Sequence, residues 1–239
     1  MSARKSVAII QSSYIPWKGY FDIINDVDEF IFLDDVQFTA QDWRSRNRIK
    51  TANGPLWLSV PAGTDIRRRI CDVRLMNTTW QKKHWKSIFQ NYVRAPHFTR
   101  YSAFFEEVYI ERRWESLSEM NQFITERIAK EFLGIKSSFK DSREYLASGT
   151  KQARLIDLIQ KSGASHYVSG PAASAYIDEN EFTAAGITLS YKEYSGYPEY
   201  QQAHPPFEHA VSILDLLFNV GQEAPDYIWG WRDRQPQVR

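Results

Sequence analysis

The feature that most constrains the fold is the proline that follows the first apolar run. Ser6 to Ile10 is short, apolar and β-branched, the composition of a strand buried on both faces. It runs into Gln11-Ser12-Ser13-Tyr14-Ile15-Pro16-Trp17-Lys18-Gly19-Tyr20-Phe21. Proline fixes φ, lacks an N–H and pushes Ile15 towards extended geometry, so helix can begin only after about Pro16. Tyr20, Ile23, Ile24 and Val27 then recur at three- and four-residue spacing, an apolar stripe to lay on a sheet. Phe30-Ile31-Phe32-Leu33 returns as a second strand and ends in Asp34-Asp35-Val36-Gln37-Phe38. Strand, loop, helix and strand make a βαβ unit, which places ligands where its first strand ends. Gln11 and Tyr14 occupy that loop, and Asp34 and Asp35 fall near the same sheet edge if the strands are parallel. A polar pocket is expected there.

The chain of 239 residues is long enough to bury a core without disulfide or metal support. Its one cysteine, Cys71, has no cationic neighbour in sequence to favour the thiolate, and reads as a packed thiol in a reducing compartment. A formal charge of +1 argues against a nucleic-acid surface, which needs a clear basic excess. Arg67-Arg68-Arg69 is the local exception, read as an exposed loop or hairpin end, or else an anion contact. No segment resembles a signal peptide, and no apolar run approaches the length of a membrane span, so a soluble, cytoplasmic protein without membrane insertion is expected. The 8 tryptophans, 13 tyrosines and 14 phenylalanines suit clefts for planar or sugar-like ligands as well as cores.

Further along, Asn47 to Lys50 and Leu56 to Val60 flank Ala52-Asn53-Gly54-Pro55 and read as a hairpin. Asp72 to Leu75 is a candidate short strand. Trp80 to Val93 is helical and ends at Ala95-Pro96, and two further helices, Ser102 to Glu111 and Ser116 to Leu133, follow, the latter opening on a Ser116–Glu119 capping box. This helical middle, residues 79–134, is either a cap over the sheet or one of its layers. Thr150 to Lys161 is a helix closed by Gly163, His166-Tyr167-Val168 a strand running into Ser169-Gly170-Pro171, and Glu179 to Ala185 with Ile187 to Tyr191 another αβ repeat. A helix around Val211 to Val220 and a tail that frays close the chain. The expected fold class is α/β, a mostly parallel three-layer sheet with a helical insertion in the middle, organised as a single domain over residues 1–239.

His204, Glu208 and His209 crowd one segment, but its double proline makes it extended, and no second His/Cys pair completes a metal site, so no metal is expected. A proton-transfer role for His204 or His209 suits imidazole on an irregular segment, against hydrogen-bonded structural histidines. Asp215 and Ser212 sit on an otherwise apolar helix and need partners. Arg46 and Arg48 leave one face of a strand together while Asn47 leaves the other, a fork that could grip a phosphate or carboxylate, against a solvated hairpin. His84 and Lys86 add basic groups in the eighties. The phosphate-loop, dinucleotide, nucleophile-elbow and zinc signatures are missing from the sequence.

Taken together, Gln11 to Phe21, Leu33 to Phe38, Arg46 to Ile49, Trp57 to Pro61, His84 to Ile88, Tyr167 to Pro171 and Ser212 to Asn219 resemble the WbqC-like family in order and spacing. Proteins of that family are encoded in bacterial O-antigen and other surface-polysaccharide gene clusters. Ser12 stands where the family opening carries proline. The resemblance implies an enzyme that builds or decorates an activated amino sugar or polysaccharide precursor, and the expected reaction is group transfer, acyl or aminoacyl, to a sugar amine. Its partner would be a small molecule, a sugar nucleotide or acyl donor. The alternative is a non-catalytic sugar-nucleotide-binding or scaffold protein of the same pathway. A weaker analogy is to the nucleotidyltransferase-like α/β arrangement, whose His-x-Gly-His signature is missing. In the enzyme reading Gln11, Tyr14 and Asn47 orient substrate, with Asp34, Asp35, Lys86, Ser169 and Glu208 as further contacts. Arg46 or Arg48 holds an anionic group, and His84, His204 or His209 moves a proton. Cofactor and oligomeric state stay open.

Overall fold

The computed structural model describes residues 4–234; the last residues, where fraying is expected, lie outside them. β1 (Ser6–Ile10) is the central strand of a five-stranded parallel sheet. On one side it pairs with β2 (Glu29–Phe32), which carries β5 (Ser138–Asp141); on the other it pairs with β6 (His166–Ser169), which carries β7 (Thr188–Tyr191). The order β5-β2-β1-β6-β7 means that the chain builds outwards from β1 and then returns to build on its opposite side. Parallel crossovers are right-handed, so moving out from β1 in opposite directions puts the connecting helices on opposite faces. Accordingly α1 (Lys18–Asn25) packs on the face of Ala8, Phe30 and Phe32, and α6 (Glu179–Ala184) on the face of Val7, Ile9 and Ile31.

Two-residue alternation along the strands supplies both faces. The second face is completed by Leu158 and Ile159 of α5 (Lys151–Lys161). The first gathers α2 (Thr79–Tyr92), α3 (Phe98–Glu106), α4 (Leu117–Arg127) and α7 (Ile213–Val220) into one core with α1, so the helical middle packs as part of a layer. The expected mostly parallel, three-layer α/β arrangement is what the chain forms. α3 and α4 each run on into a π-helical turn, Glu107–Glu111 and Ile128–Phe132.

One local expectation is corrected, and one strand is added that the sequence did not announce. Asp72 to Leu75 is not a strand: a 3₁₀ turn occupies Ile70–Asp72, and Arg74 makes a single bridge to Ser116. Its partner turns helical at Leu117, so pairing cannot extend. β5 carries a single strong apolar residue, Phe139, and gives no strand pattern; it forms because β2 offers an open edge, and its polar residues suit an outer strand.

β3 (Arg46–Thr51) and β4 (Gly54–Ser59) form the expected hairpin as a separate two-stranded sheet, with Gly54 at φ +96° in the turn. Among the described residues no helix is long and apolar enough to cross a membrane.

The C-terminal third is locked to α1 by charge. Asp22 is fully buried and accepts from Lys192 Nζ at 2.7 Å, Tyr197 Oη at 2.5 Å and Arg232 Nη2 at 2.7 Å. Removing one member of a buried ion cluster leaves the others desolvated and unpaired, at a cost typically of about 3–5 kcal/mol. Asp22→Ala should lower the unfolding free energy by about 3 kcal/mol in urea titrations; a loss under about 1 kcal/mol would show that the cluster does not hold these segments together.

Candidate functional site

The loop after β1 is shaped by side chains from the hairpin. Asn47 is buried, and its Nδ2 donates to the carbonyls of Tyr14 at 3.1 Å and Ile15 at 2.9 Å. Tyr14 N donates to Trp43 O at 2.9 Å, Ser212 N to Arg48 O at 2.8 Å and Ile213 N to Pro16 O at 2.8 Å. Held in this way, Ile15 does not take the extended geometry expected before proline: its φ is +36°. For a β-branched residue that is a strained backbone, sustained only because its surroundings over-determine it.

Asp34 fixes the other end of the loop. Buried, it accepts from Ser12 N at 2.8 Å and from Gln122 Nε2 at 3.1 Å, and Ser118 Oγ donates to it as well. Only a residue with a backbone N–H can make the bond from position 12, so a proline there would lose it. Asp35 is paired with Arg154 and accepts from Ser142 Oγ at 2.7 Å. Both carboxylates thus act within the protein's own framework.

At the C-terminal ends of β1 and β6, where the strand order reverses, lies a cavity of about 600 Å³. Ligands of open α/β sheets bind in such crevices. Its floor is Ile9, Ile10, Gln11 and Ser13 from the first strand and loop, and Tyr167, Ser169, Gly170 and Pro171 from the second. Rings of Trp17, Tyr20, Trp43, Tyr176 and Tyr194 form much of the wall. Trp17 packs edge-on to Tyr194 at 5.3 Å and lies so close over Gly19 that a Cβ there would be 2.2 Å from its ring. The charged wall group is Arg44, whose Nη1 lies 3.2 Å from Gln11 Oε1 and 3.4 Å from Gln11 O. Tyr20 Oη also donates to Gln11 O, at 2.9 Å. Neither histidine nor carboxylate is among the lining residues.

Of the residues singled out from sequence, Gln11, Asn47 and Ser169 line this cavity. Tyr14 lies buried beneath the loop, its hydroxyl 2.8 Å from His84 Nδ1 and 2.6 Å from Tyr109 Oη. His84 opens instead on a separate cavity of about 300 Å³ with Ser59, Pro61, Asn77, Thr79, Trp80 and Lys83. Burial pulls its pKa down to about 4, only partly opposed by a hydrogen bond to the Ser59 backbone, and so favours the neutral ring at neutral pH. Lys86 is exposed on α2. His204 is half-buried and His209 exposed, its ring 4.5 Å from Phe207; partial burial, then Lys18, holds the His209 pKa below its usual value. Glu208 folds back on its own segment, its N–H and carbonyl paired with the Gln202 amide. Asp215 finds its partners in Tyr92 Oη (2.9 Å), Tyr200 Oη (2.7 Å) and Gln202 Nε2 (2.8 Å), while burial raises its pKa. Arg46 and Arg48 line a smaller cavity that shares Trp43 with the main one. No group of histidine, cysteine and carboxylate side chains among the described residues could hold a metal ion.

Sequence reasoning missed Arg44, Trp43, Trp17 and Tyr194 as lining residues. The signal for the first two was their position just before the Arg46-Asn47-Arg48 run, whose partner the loop proved to be. Trp17 and Tyr194 carry no local pattern that separates a wall ring from a core ring.

The model of the WbqC-like protein family matches residues 11–227. A protein of Mycobacterium tuberculosis (strain ATCC 25618 / H37Rv), bearing the name Uncharacterized protein Rv1507c, is 45% identical over 226 residues, which is 94% of this chain and 97% of that protein. No solved structure matches.

Two outcomes follow from the loop's anchoring. Asn47→Ala leaves two buried carbonyls without their donor, at about 1–3 kcal/mol for each group left unsatisfied, and should lower stability by about 2 kcal/mol or more in chemical denaturation; an unchanged midpoint would show that the clamp is dispensable. An imidazole in the unfolded chain protonates near 6.5, but His84 in the folded protein only near 4. Between those values the unfolded chain binds more protons, so stability should fall as pH drops from about 6.5 to about 4, by on the order of 3 kcal/mol, and this contribution levels off below. His84→Gln should flatten that part of the stability–pH curve; an identical slope in the variant would assign it to other groups.

Proposed function

The chain belongs to the WbqC-like protein family, and from that premise we propose that it is an enzyme of surface-polysaccharide or activated amino-sugar biosynthesis, transferring an acyl or aminoacyl group to a sugar precursor. The observation that carries this reading is the cavity of about 600 Å³ at the sheet's reversal point, walled by aromatic rings and one oriented guanidinium. That volume lies within the span of about 300–1,000 Å³ common for small-molecule sites. Rings suit a nucleobase or the apolar face of a sugar, and Arg44 suits the phosphate or carbonyl oxygen of an activated donor.

The lining sets what the site can contribute chemically. Without an imidazole or carboxylate on the wall, catalysis rests on positioning and on stabilising developing negative charge rather than on a histidine base. Aminolysis of an activated acyl donor fits those means. The sugar nitrogen forms the new bond to the acyl carbon, the bond to the leaving group breaks with its electron pair, and the ammonium proton passes to water. Arg44, fixed on Gln11, faces the oxygen that gains charge.

The same lining favours a second reading, a protein that holds a sugar nucleotide without turning it over. The two readings share the cavity and differ in product formation.

Gly170 offers a direct test. Gly170 lines the cavity, its φ of −69° is ordinary for any residue, and a Cβ there would meet open space, so a larger side chain can be placed at the cavity's edge without straining the backbone. A ligand at 100 times its Kd stabilises the folded state by about 2.7 kcal/mol. We expect a sugar nucleotide or acyl donor to raise the Tm of the wild-type protein and to have no effect on Gly170→Leu, whose own Tm should be close to wild type. Absence of any shift across nucleotides, sugar nucleotides and acyl donors would overturn the assignment of the cavity. A shift without product in a coupled acyl-transfer assay would favour the second reading.

A further inference from the structure

We propose that Arg46 and Arg48, set against the indoles of Trp43 and Trp57, form a second subsite that binds the charged group of an anionic saccharide, a carboxylate or phosphate borne on a sugar ring. This deepens the reading above by giving the acceptor side of the reaction a place, and it rests on that reading only for the acceptor's role.

The subsite is a cavity of about 330 Å³ lined by Gln41, Asp42, Trp43, Arg46, Arg48 and Trp57. Alternation along β3 sends both arginines to one face, and the register sets Arg48 directly opposite Trp57 on β4. Their guanidinium carbons lie 4.4 Å and 5.4 Å from the centre of the Trp57 ring, which fixes both charges in place. The Trp43 ring lies 5.5 Å from that of Trp57, and the two indoles remain 43% and 42% exposed, a large aromatic area to leave beside water.

Charge on this face is not balanced from within. Among the described residues neither Arg46 nor Arg48 makes an ion pair or a side-chain hydrogen bond, and the Nε of each is buried without a partner. The carboxylate in the cavity, Asp42, is already engaged: it accepts from Trp43 N at 2.6 Å and Thr39 Oγ1 at 2.8 Å, and lies 3.7 Å from Arg44. A lone arginine over a tryptophan is an ordinary surface contact worth about 0.5–1 kcal/mol. Two like charges on one ring repel each other, and an arriving oxyanion turns that repulsion into attraction at two forks. The indoles add a surface for the ring that carries the anion, which distinguishes this subsite from a bare phosphate contact. Because Trp43 is a wall of both cavities, a bound acceptor would lie beside the donor cavity.

Binding of glucuronic acid, glucose 1-phosphate, glucose and inorganic phosphate, each followed by calorimetry at low and high salt, tests the assignment. We expect glucuronic acid or glucose 1-phosphate to bind, more weakly as salt rises, and glucose not to bind. Arg46→Gln and Arg48→Gln should each weaken the complex at least tenfold, with the lysine variants intermediate, and circular dichroism should show all of them folded. Equal affinity for glucose and glucuronic acid, or unaltered affinity in the arginine variants, would overturn the subsite; inorganic phosphate binding as tightly as glucose 1-phosphate would overturn its saccharide character. A charged sugar that binds in an arginine-dependent way while no donor shifts the Tm would sustain the subsite and defeat the reading of the main cavity.

Discussion

Everything around the cavity depends on one side-chain amide. Asn47 reaches from the hairpin to the carbonyls of Tyr14 and Ile15, and by gripping two consecutive peptide units it sets the path of the chain between β1 and α1. From that path follow the unusual φ of Ile15, the seat of Trp17 over Gly19 and the backbone bonds that bring Trp43 and the start of α7 alongside. A hairpin that shares no sheet with β1 thereby becomes the wall of the site at the end of β1. The strain at Ile15 is tolerable because both flanking anchors are buried and hydrogen-bonded.

Much of the framework was legible because its signals are local. Four successive apolar residues, three of them β-branched, mark β1, Pro16 marks where α1 can start, and a glycine-containing turn marks the hairpin. What escaped was decided by partners distant in sequence. β5 exists because β2 has a free edge, and Ile15 departs from the geometry that proline favours because Asn47 holds it. Asp34 and Asp35 were correctly placed beside the first loop, yet sequence could not reveal that Ser12, Ser118 and Gln122 would surround one of them and Arg154 the other. The groups near residue 11 and in the forties meet, whereas His84 communicates with that loop only through the buried hydroxyl of Tyr14. No periodicity encodes which of two neighbouring cavities a helix will face.

The protein separates its charges by task. Buried carboxylates are enclosed by donors and hold elements together: Asp22 ties α1 to the C-terminal segments, Asp34 ties the first loop to α4, and Asp215 ties α7 to the loop that precedes it. Lys18 lies between the rings of Tyr197 and Tyr200, where burial pulls its pKa down to about 8 although nearby carboxylates oppose the shift. Uncompensated charge is instead found on the hairpin face, outside this internal framework. Such a division keeps the fold's own ion pairs out of competition with a ligand's, since a carboxylate already satisfied three times has little left to offer an arriving cation.

Trp43 gives the two chambers a common partition. A ring that forms part of both cannot move for one occupant without reshaping the room left for the other, so whatever enters first sets the rotamer met by the second. Linkage then requires that the influence be mutual and equal in free energy, whichever molecule arrives first. A single indole would in this way make loading of the protein ordered or synergistic, with no hinge, lid or subunit contact needed to carry the message.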